Sequence, residues 1–434
     1  MNYKQIIYVS SISLLIISFV VIVFIYLPGE NTQNPESGEI PIHYVSHISD
    51  AQMKVINQFN EKYAGRIKVE AINLPFEKFS TNERKELLAR YLRSKSDRID
   101  VFTVDQIWVP RFAKWAVNLD KYFEAKDRKV LVKNALQTCI YQDSLVALPL
   151  YLDVGVMFYR KDLLNRISGV DSLEQELNKS ITWNDMIQLQ YKIPGAPQPL
   201  FLFQADSYEG LMCMFVEMME SQGQSLIENG KLQLSSPAAY NALEMMVDLV
   251  NKYGISPREV TVSREKETYE MFLRNDILFL RGWPAFLNEY PNLILRKELR
   301  GQIEMVPTPH FKSGKPASVF GGWNLMVSRF SPNVEEAVIF IKYLLSREAQ
   351  EIMFKEGGYI PINQSIYKGS VNKRLKFYER LIASGVHRPF LENYTKISDI
   401  IAAFLNKAIR KELTVDQALK NASEKIIKEN IAIK

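Results

Sequence analysis

The sequence of 434 residues predicts an α/β protein built on a largely parallel sheet with helices on both faces. Two observations carry this reading. Short β-branched and apolar runs alternate with amphipathic stretches of helical period, and the junctions between them carry helix caps and glycine stops. Residues 41–46 read as a first strand. Ser49-Asp50-Ala51-Gln52 then forms a capping box that opens a helix with Met53, Ile56, Phe59 and Tyr63 as its apolar face, and Gly65 ends it. Residues 67–72 read as a second strand, 82–93 as a charged amphipathic helix and 99–104 as a third strand. Strands joined through helices are βαβ units, which run parallel.

Composition narrows the function classes. Apolar residues make up 47% and charged residues 24%, with 19 Gly and 19 Pro, as in an ordinary folded protein. Against 54 Lys and Arg stand 49 Asp and Glu, and the resulting net charge of +5 is small for this length. No clustered basic stripe with interleaved aromatics is present, so nucleic acid is not an expected partner. The two cysteines, Cys139 and Cys213, have no other Cys, His or carboxylate at ligand spacing around them. They are expected to be free buried thiols, and no metal or cofactor is expected.

The N-terminus bears on location. Residues 6–27 carry no charge, and as a helix rising about 1.5 Å per residue they would span the roughly 30 Å hydrocarbon core of a bilayer. Lys4 precedes the run and Pro28-Gly29 follows it, which favours a cytoplasmic N-terminus. The run ends in the bulky Phe24-Ile25-Tyr26-Leu27, unlike a signal-peptide cleavage site, and holds no Cys to take a lipid. We therefore expect an uncleaved membrane anchor and a polar tether, together residues 1–39.

Further along, ligands of such sheets sit beyond the carboxyl ends of the strands, where Asp105 stands. Asp105 can cap the helix expected over 106–115, face a ligand, or do both, because a carboxylate has several acceptor sites. In residues 145–164, Pro149 and Gly155 interrupt a strand-like run, and Asp153 is a carboxylate amid apolar neighbours. Such a charge is costly unless it is paired, turned outward or facing a cleft. Thr182 caps a helix with Asp185 three residues on, 194–199 is a rigid Pro-rich loop, and the Met-rich 205–220 is a core helix. Residues 272–283 place the short strand ILFLRGW after a helix and end on Trp283. In FGGWNLMV, residues 320–327, Gly321 and Gly322 leave room for Trp323 either as a ligand platform or as a core residue. Ser331 caps the next helix, Pro332 takes its first position, and Val334, Ala337, Val338, Ile341, Leu344 and Leu345 share one face; Gly357-Gly358 stops the helix after it.

In succession, DVFTVDQIWVPRFAKWAVNLDKYF, ALPLYLDVGVMFYRKDLL, ITWNDM, RGWPAF, FGGWNLMVS, SREAQ, YIP and HRPFLENY resemble the family-1 extracellular solute-binding proteins, from about Ile40 to the C-terminus. These include the maltose-binding proteins, which deliver sugars to ABC importers. The resemblance implies a two-lobe, type II periplasmic-binding-protein-like fold: one lobe of residues 40–150 and 316–356, the other of 151–315 and 357–434, with the ligand between them and closure about a hinge. It implies Asp105 and Asp153 on ligand hydroxyls, Trp283 and Trp323 stacking on the sugar, a backbone contact at Gly322, Arg388 of HRPF in the second lobe, and Tyr151 on the hinge side. It also implies a monomer that is not an enzyme, whose partners are a carbohydrate and ABC permease subunits; the membrane is an expected partner through the anchor read from residues 6–27. The chain departs from the family at His43–His47, where some members place a Glu, and in its anchor. No HExxH, GxSxG or Walker sequence appears, and Ser365–Lys368 is a chance-level SxxK. Two other roles stay open here: a sugar sensor that signals to a membrane receptor, and a glycosidase using Asp105 and Asp153 as its carboxylate pair.

The anchor has a direct check. N-terminal sequencing of the native protein should find residues 6–27 still present; a mature start near Glu30 would show that the segment is removed.

Overall fold

The computed structural model describes residues 38–75, 81–166, 170–192, 199–289, 297–299 and 301–433. The expected anchor at 6–27 and nearly all of the 194–199 loop lie outside the described residues. Among the described residues no helix is long and apolar enough to cross a membrane. Residues 1–39 and 40–434 separate into two units, and the second unit holds two α/β lobes, each with its own sheet.

The first sheet has six strands. Gly385–Val386, Ser318–Val327, Val101–Asp105, Ile40–Ser46 and Ile67–Asn73 follow one another across it, and Leu148–Val154 pairs with Ser318–Val327. Ile40–Ser46 runs parallel to Ile67–Asn73 and Val101–Asp105, as the βαβ pattern predicts. The long strand Ser318–Val327 runs antiparallel to both Val101–Asp105 and Leu148–Val154. The second sheet orders Ile303–Val306, Val156–Arg160, Phe279–Gly282 and Phe201–Leu202, with Phe279–Gly282 antiparallel to Val156–Arg160 and parallel to Phe201–Leu202.

Helix packing follows the apolar faces. Asp50–Lys62 starts at Ser49, whose Oγ accepts the Gln52 N–H at 3.3 Å. The reciprocal half of the expected capping box is missing, since Gln52 Oε1 has no hydrogen-bond partner. Val55, Ile56 and Phe59 are buried, whereas Met53 is 37% exposed. The spacing 52, 55, 56, 59 is the helical repeat, and Met53 falls one position off that stripe. Phe59 and Tyr44 both meet Phe340 edge-on, at 5.0 and 5.3 Å between ring centroids, which ties helix Val334–Leu344 to the same sheet face.

Two further local expectations change. Ser331 does not cap a helix that starts at Pro332: the helix begins at Val334. Ser331 Oγ instead donates to Asp100 and accepts the Asn333 N–H at 3.0 Å. Asp100 is fully buried and needs donors; besides Ser331 it takes the His43 backbone N–H at 2.8 Å and lies 3.1 Å from His43 Nδ1. The helix expected over 106–115 is broken into the 3₁₀ turn Gln106–Trp108, the single α-turn Val109–Phe112 and the 3₁₀ turn Ala113–Trp115. Cys139 and Cys213 are free and buried; burial pushes both thiols up, that of Cys213 to about 12.

Gly155 is the single residue between a strand of the first sheet, Leu148–Val154, and a strand of the second, Val156–Arg160. Its N–H donates to Val319 O at 3.0 Å, and the Val319 N–H donates to Glu217 Oε1 at 3.3 Å. Glu217 belongs to helix Glu209–Glu220, which is buried along nearly its whole length, and it grips Arg281 of strand Phe279–Gly282 in two hydrogen bonds of 2.9 and 3.3 Å. Both side chains are almost wholly enclosed, 5% and 2% exposed.

A side chain at Gly155 would collide with Glu217 Oε1. Gly155→Ala is therefore expected to separate a buried ion pair, at a cost of about 3 kcal/mol or more. Urea unfolding reads this directly, and an unchanged midpoint would show that the crossing relaxes without disturbing the pair.

Candidate functional site

Register in the first sheet assembles most of the site. The Cα of Trp323 pairs with Asp105 on one side and with Tyr151 on the other, and Gly321 lies opposite Asp153. The ladder slips between Trp323 and Asn324, a bulge of the kind that re-aims a side chain. Gly322 just before the slip has φ +120°, and a Cβ there would stand 2.5 Å from the Tyr151 carbonyl oxygen. Only glycine fits that position.

Trp283 arrives from the other sheet, one residue beyond strand Phe279–Gly282. The Cζ3 and Cη2 edge of its ring stands 3.0 and 3.3 Å from where a Cβ on Gly321 would be, beside the Asp153 side chain. The indole N–H donates to Glu265 Oε1 at 3.4 Å, the Trp283 backbone N–H donates to the Tyr269 hydroxyl at 3.2 Å, and the Arg281 guanidinium covers the ring 4.2 Å from its centroid. Burial disfavours the Arg281 charge, but Glu217 outweighs it and holds the guanidinium above its ordinary pKa.

Trp323 is partly buried within its own lobe. Trp108 meets it edge-on at 5.5 Å, and the Arg84 guanidinium lies over its ring at 4.2 Å. His47 lines the same small cavity as these three residues. Burial, and then the Arg84 charge, push His47 down to about 3, so this imidazole is neutral at physiological pH. Tyr151 is buried with its ring 4.3 Å from that of Tyr359. Asp153 Oδ1 accepts the Val154 N–H at 3.1 Å.

Arg388 occupies the remaining corner. Its side chain is 2% exposed; Nη2 donates to Asp105 Oδ1 at 2.9 Å and Nη1 to Glu209 Oε1 at 2.8 Å. Tyr394 donates its hydroxyl to the same Glu209 oxygen at 3.0 Å. Asp105 Oδ1 also accepts the Ile107 N–H at 3.2 Å, so the helix-cap role is filled. One guanidinium thus serves two carboxylates. Burial raises the Glu209 pKa, with Arg388 working against the rise and Asp105 adding to it.

All seven residues expected at a ligand site are thus contiguous: five by sheet register, Trp283 through Gly321 and Asp153, and Arg388 through Asp105. Arg84, Trp108, Glu209, Glu217, Glu265 and Arg281 escaped the sequence reading. Two of these left a signal, since Glu217 in FVEMM and Arg281 in FLRG are single charges inside apolar runs, and such charges need a partner. Arg84 sits in the charged run NERKELL and left none. Among the described residues no group of His, Cys, Asp and Glu could hold a metal ion.

The shared guanidinium sets an asymmetry that mutagenesis can read. Arg388→Leu leaves two enclosed carboxylates facing each other and should cost about 3–5 kcal/mol at neutral pH. Glu209→Gln removes the carboxylate whose charge is already disfavoured, and should cost far less. A Glu209 pKa raised on folding means that its charge weakens the fold at neutral pH, with relief as pH falls through the raised value toward the unfolded one near 4.5. That acid-side gain should be larger in Arg388→Leu than in the parent, as read by urea midpoints from pH 7 to pH 5. Equal losses for the two variants would contradict the sharing.

Comparison with known proteins places the fold and the family. Residues 46–351 match the model of the bacterial extracellular solute-binding protein family. A Deinococcus radiodurans protein described as a "Probable ABC transporter-binding protein" is 28% identical over 370 residues, 81% of this chain and 84% of that one. Among solved structures, maltose-bound MalE3 of T. maritima is 28% identical with a TM-score of 0.79, covering 89% of this chain and 98% of that one. A Thermotoga lettingae ABC transporter solute-binding protein bound with α-D-tagatose has a TM-score of 0.77 at 23% identity, covering 90% and 99%, and shares the fold. Its family match, which spans most of the sequence, makes this chain a member of the bacterial extracellular solute-binding proteins, binders rather than enzymes.

Proposed function

We propose that the protein binds a carbohydrate outside the cytoplasm, in the cleft between its two lobes, and delivers it to an ABC import permease while residues 6–27 hold it at the membrane. The observation that carries the ligand class is the meeting of Trp283 from the second sheet with Gly321 and Asp153 of the first. A sugar ring has an apolar C–H face and a rim of hydroxyls. It calls for a flat aromatic under the face and charged or amide groups at the rim. Trp283 and Trp323 are the proposed platforms. Asp105, Asp153 and Arg388 are the proposed rim contacts, with Gly322 offering its backbone and Tyr151 backing the hinge side. The T. maritima structure at 28% identity carries maltose, which supports a sugar here. Its ligand, and the tagatose and mannitol of more distant neighbours, are properties of those proteins.

Thermal-shift screening tests the reading, because a ligand that binds only the folded state raises the melting temperature. A panel of monosaccharides, oligosaccharides, uronates and polyols should contain at least one that does so; a panel without effect counts against a carbohydrate. With the sugar so identified, Trp283→Ala and Trp323→Ala should each weaken binding by about 2 kcal/mol or more, roughly thirtyfold. Loss of stability by about 3–5 kcal/mol would instead mark the residue as core. Normal affinity in a stable variant would remove that tryptophan from the site.

A further inference from the structure

Resting on the reading of Trp283 as a platform, we propose that Arg281 and Glu217 are its positioning residues, an ion pair at the lobe crossing that fixes the plane and height of the indole ring. The contacts close a circuit. Val319 donates its N–H to Glu217 Oε1, Glu217 holds Arg281 in two hydrogen bonds, Arg281 lies 4.2 Å over the Trp283 ring, and that ring rests on Gly321, two residues from Val319 on the same strand. The ring is thereby referenced to the strand that carries Gly322 and Trp323, although it belongs to the other sheet. Arg281 and Trp283 are two apart, a spacing that puts alternate side chains on one face of an extended chain.

Stability alone gives little reason for this pair. Two charges taken out of water recover little more than their desolvation cost, and an apolar pair of similar volume does as well or better. Arg281 Nη1 is also buried without a partner among the described residues, a further cost. What a guanidinium adds over an apolar chain or an ammonium is a rigid plane that stacks on an indole face while its edge is held by a carboxylate. The arrangement has both partners in place: two guanidinium nitrogens are on Glu217, and the guanidinium carbon stands 4.2 Å over the Trp283 ring.

The distinguishing variant is Arg281→Lys in the full-length protein, which keeps a positive charge for Glu217 but removes the planar face. Emission and acrylamide quenching are measured with and without Trp283→Phe in each background, so that the difference isolates Trp283 from the other four tryptophans. The expected result is a Trp283 component quenched about twofold more readily, with red-shifted emission, in a variant that still unfolds cooperatively. Glu217→Gln should move the same signal in the same direction, because the guanidinium loses its charged anchor. A Trp283 component unchanged in Arg281→Lys overturns the proposal. So does failure of both variants to fold, which would make the pair a stability element only. The measurement needs no ligand. A moved signal beside a Trp283→Ala variant that binds sugar normally would leave the positioning intact and remove the platform reading instead.

Discussion

Charge withdrawn from water has to find its partner nearby, and in this protein the enclosed partners tie separate pieces of the chain together. Glu217 and Arg281 come from a helix and a strand on the second-sheet side, yet Glu217 also takes the Val319 N–H of the first sheet. Arg388 joins Asp105, at the end of a first-sheet strand, to Glu209, at the start of that same helix. Both ends of Glu209–Glu220 are thus fixed by ion pairs, and its apolar middle is free to fill the core with Leu211, Met214, Phe215 and Met218. The Met-rich run is core packing, and Glu209 and Glu217 within it locate the helix.

The same constraint explains why glycines gather where the sheets meet. Glu217 leaves no volume beside Gly155, and Trp283 leaves little beside Gly321. Gly322 serves a different need, since its φ of +120° opens the slip after Trp323. A side chain at any of the three would disturb a charge, a ring or a strand register. Close approach of two sheets through a single connecting residue leaves room for nothing larger.

The alternation of strands and helices was legible in the sequence because each element buries one face, and period alone identifies it. The first three strands, the Ser49 cap and the stop at Gly358 follow from local chemistry. Where a distant buried group intervened, local reading failed. Ser331 is a good helix cap in isolation, but Asp100, 231 positions away, recruits its hydroxyl. The site residues named from the family resemblance are contiguous because that resemblance supplied the long-range pairing that no local rule contains. Arg84 was missed for the opposite reason. On a charged helix, nothing in the neighbouring residues separates a guanidinium that covers Trp323 from one that faces solvent.

Asp105 shows how a cap and an ion pair can share one carboxylate. Its Oδ1 accepts from both Ile107 and Arg388, so one oxygen carries the helix cap and the ion pair. The side chain keeps 14% of its exposure, and Oδ2 can still accept from a hydroxyl. Closure of the lobes about a hinge, which the family resemblance implies, would move each atom in proportion to its distance from the axis. The Gly155–Val319–Glu217 chain of hydrogen bonds lies at the crossing and would change least, whereas the Asp105–Arg388–Glu209 bridge spans from one sheet to the other lobe's helix. A ligand that closed the lobes at the proposed site would therefore meet a rim whose polar groups are already partnered. It would gain affinity by adding hydrogen bonds to the oxygens left over, a geometric selection for hydroxyls at defined spacing rather than for net charge.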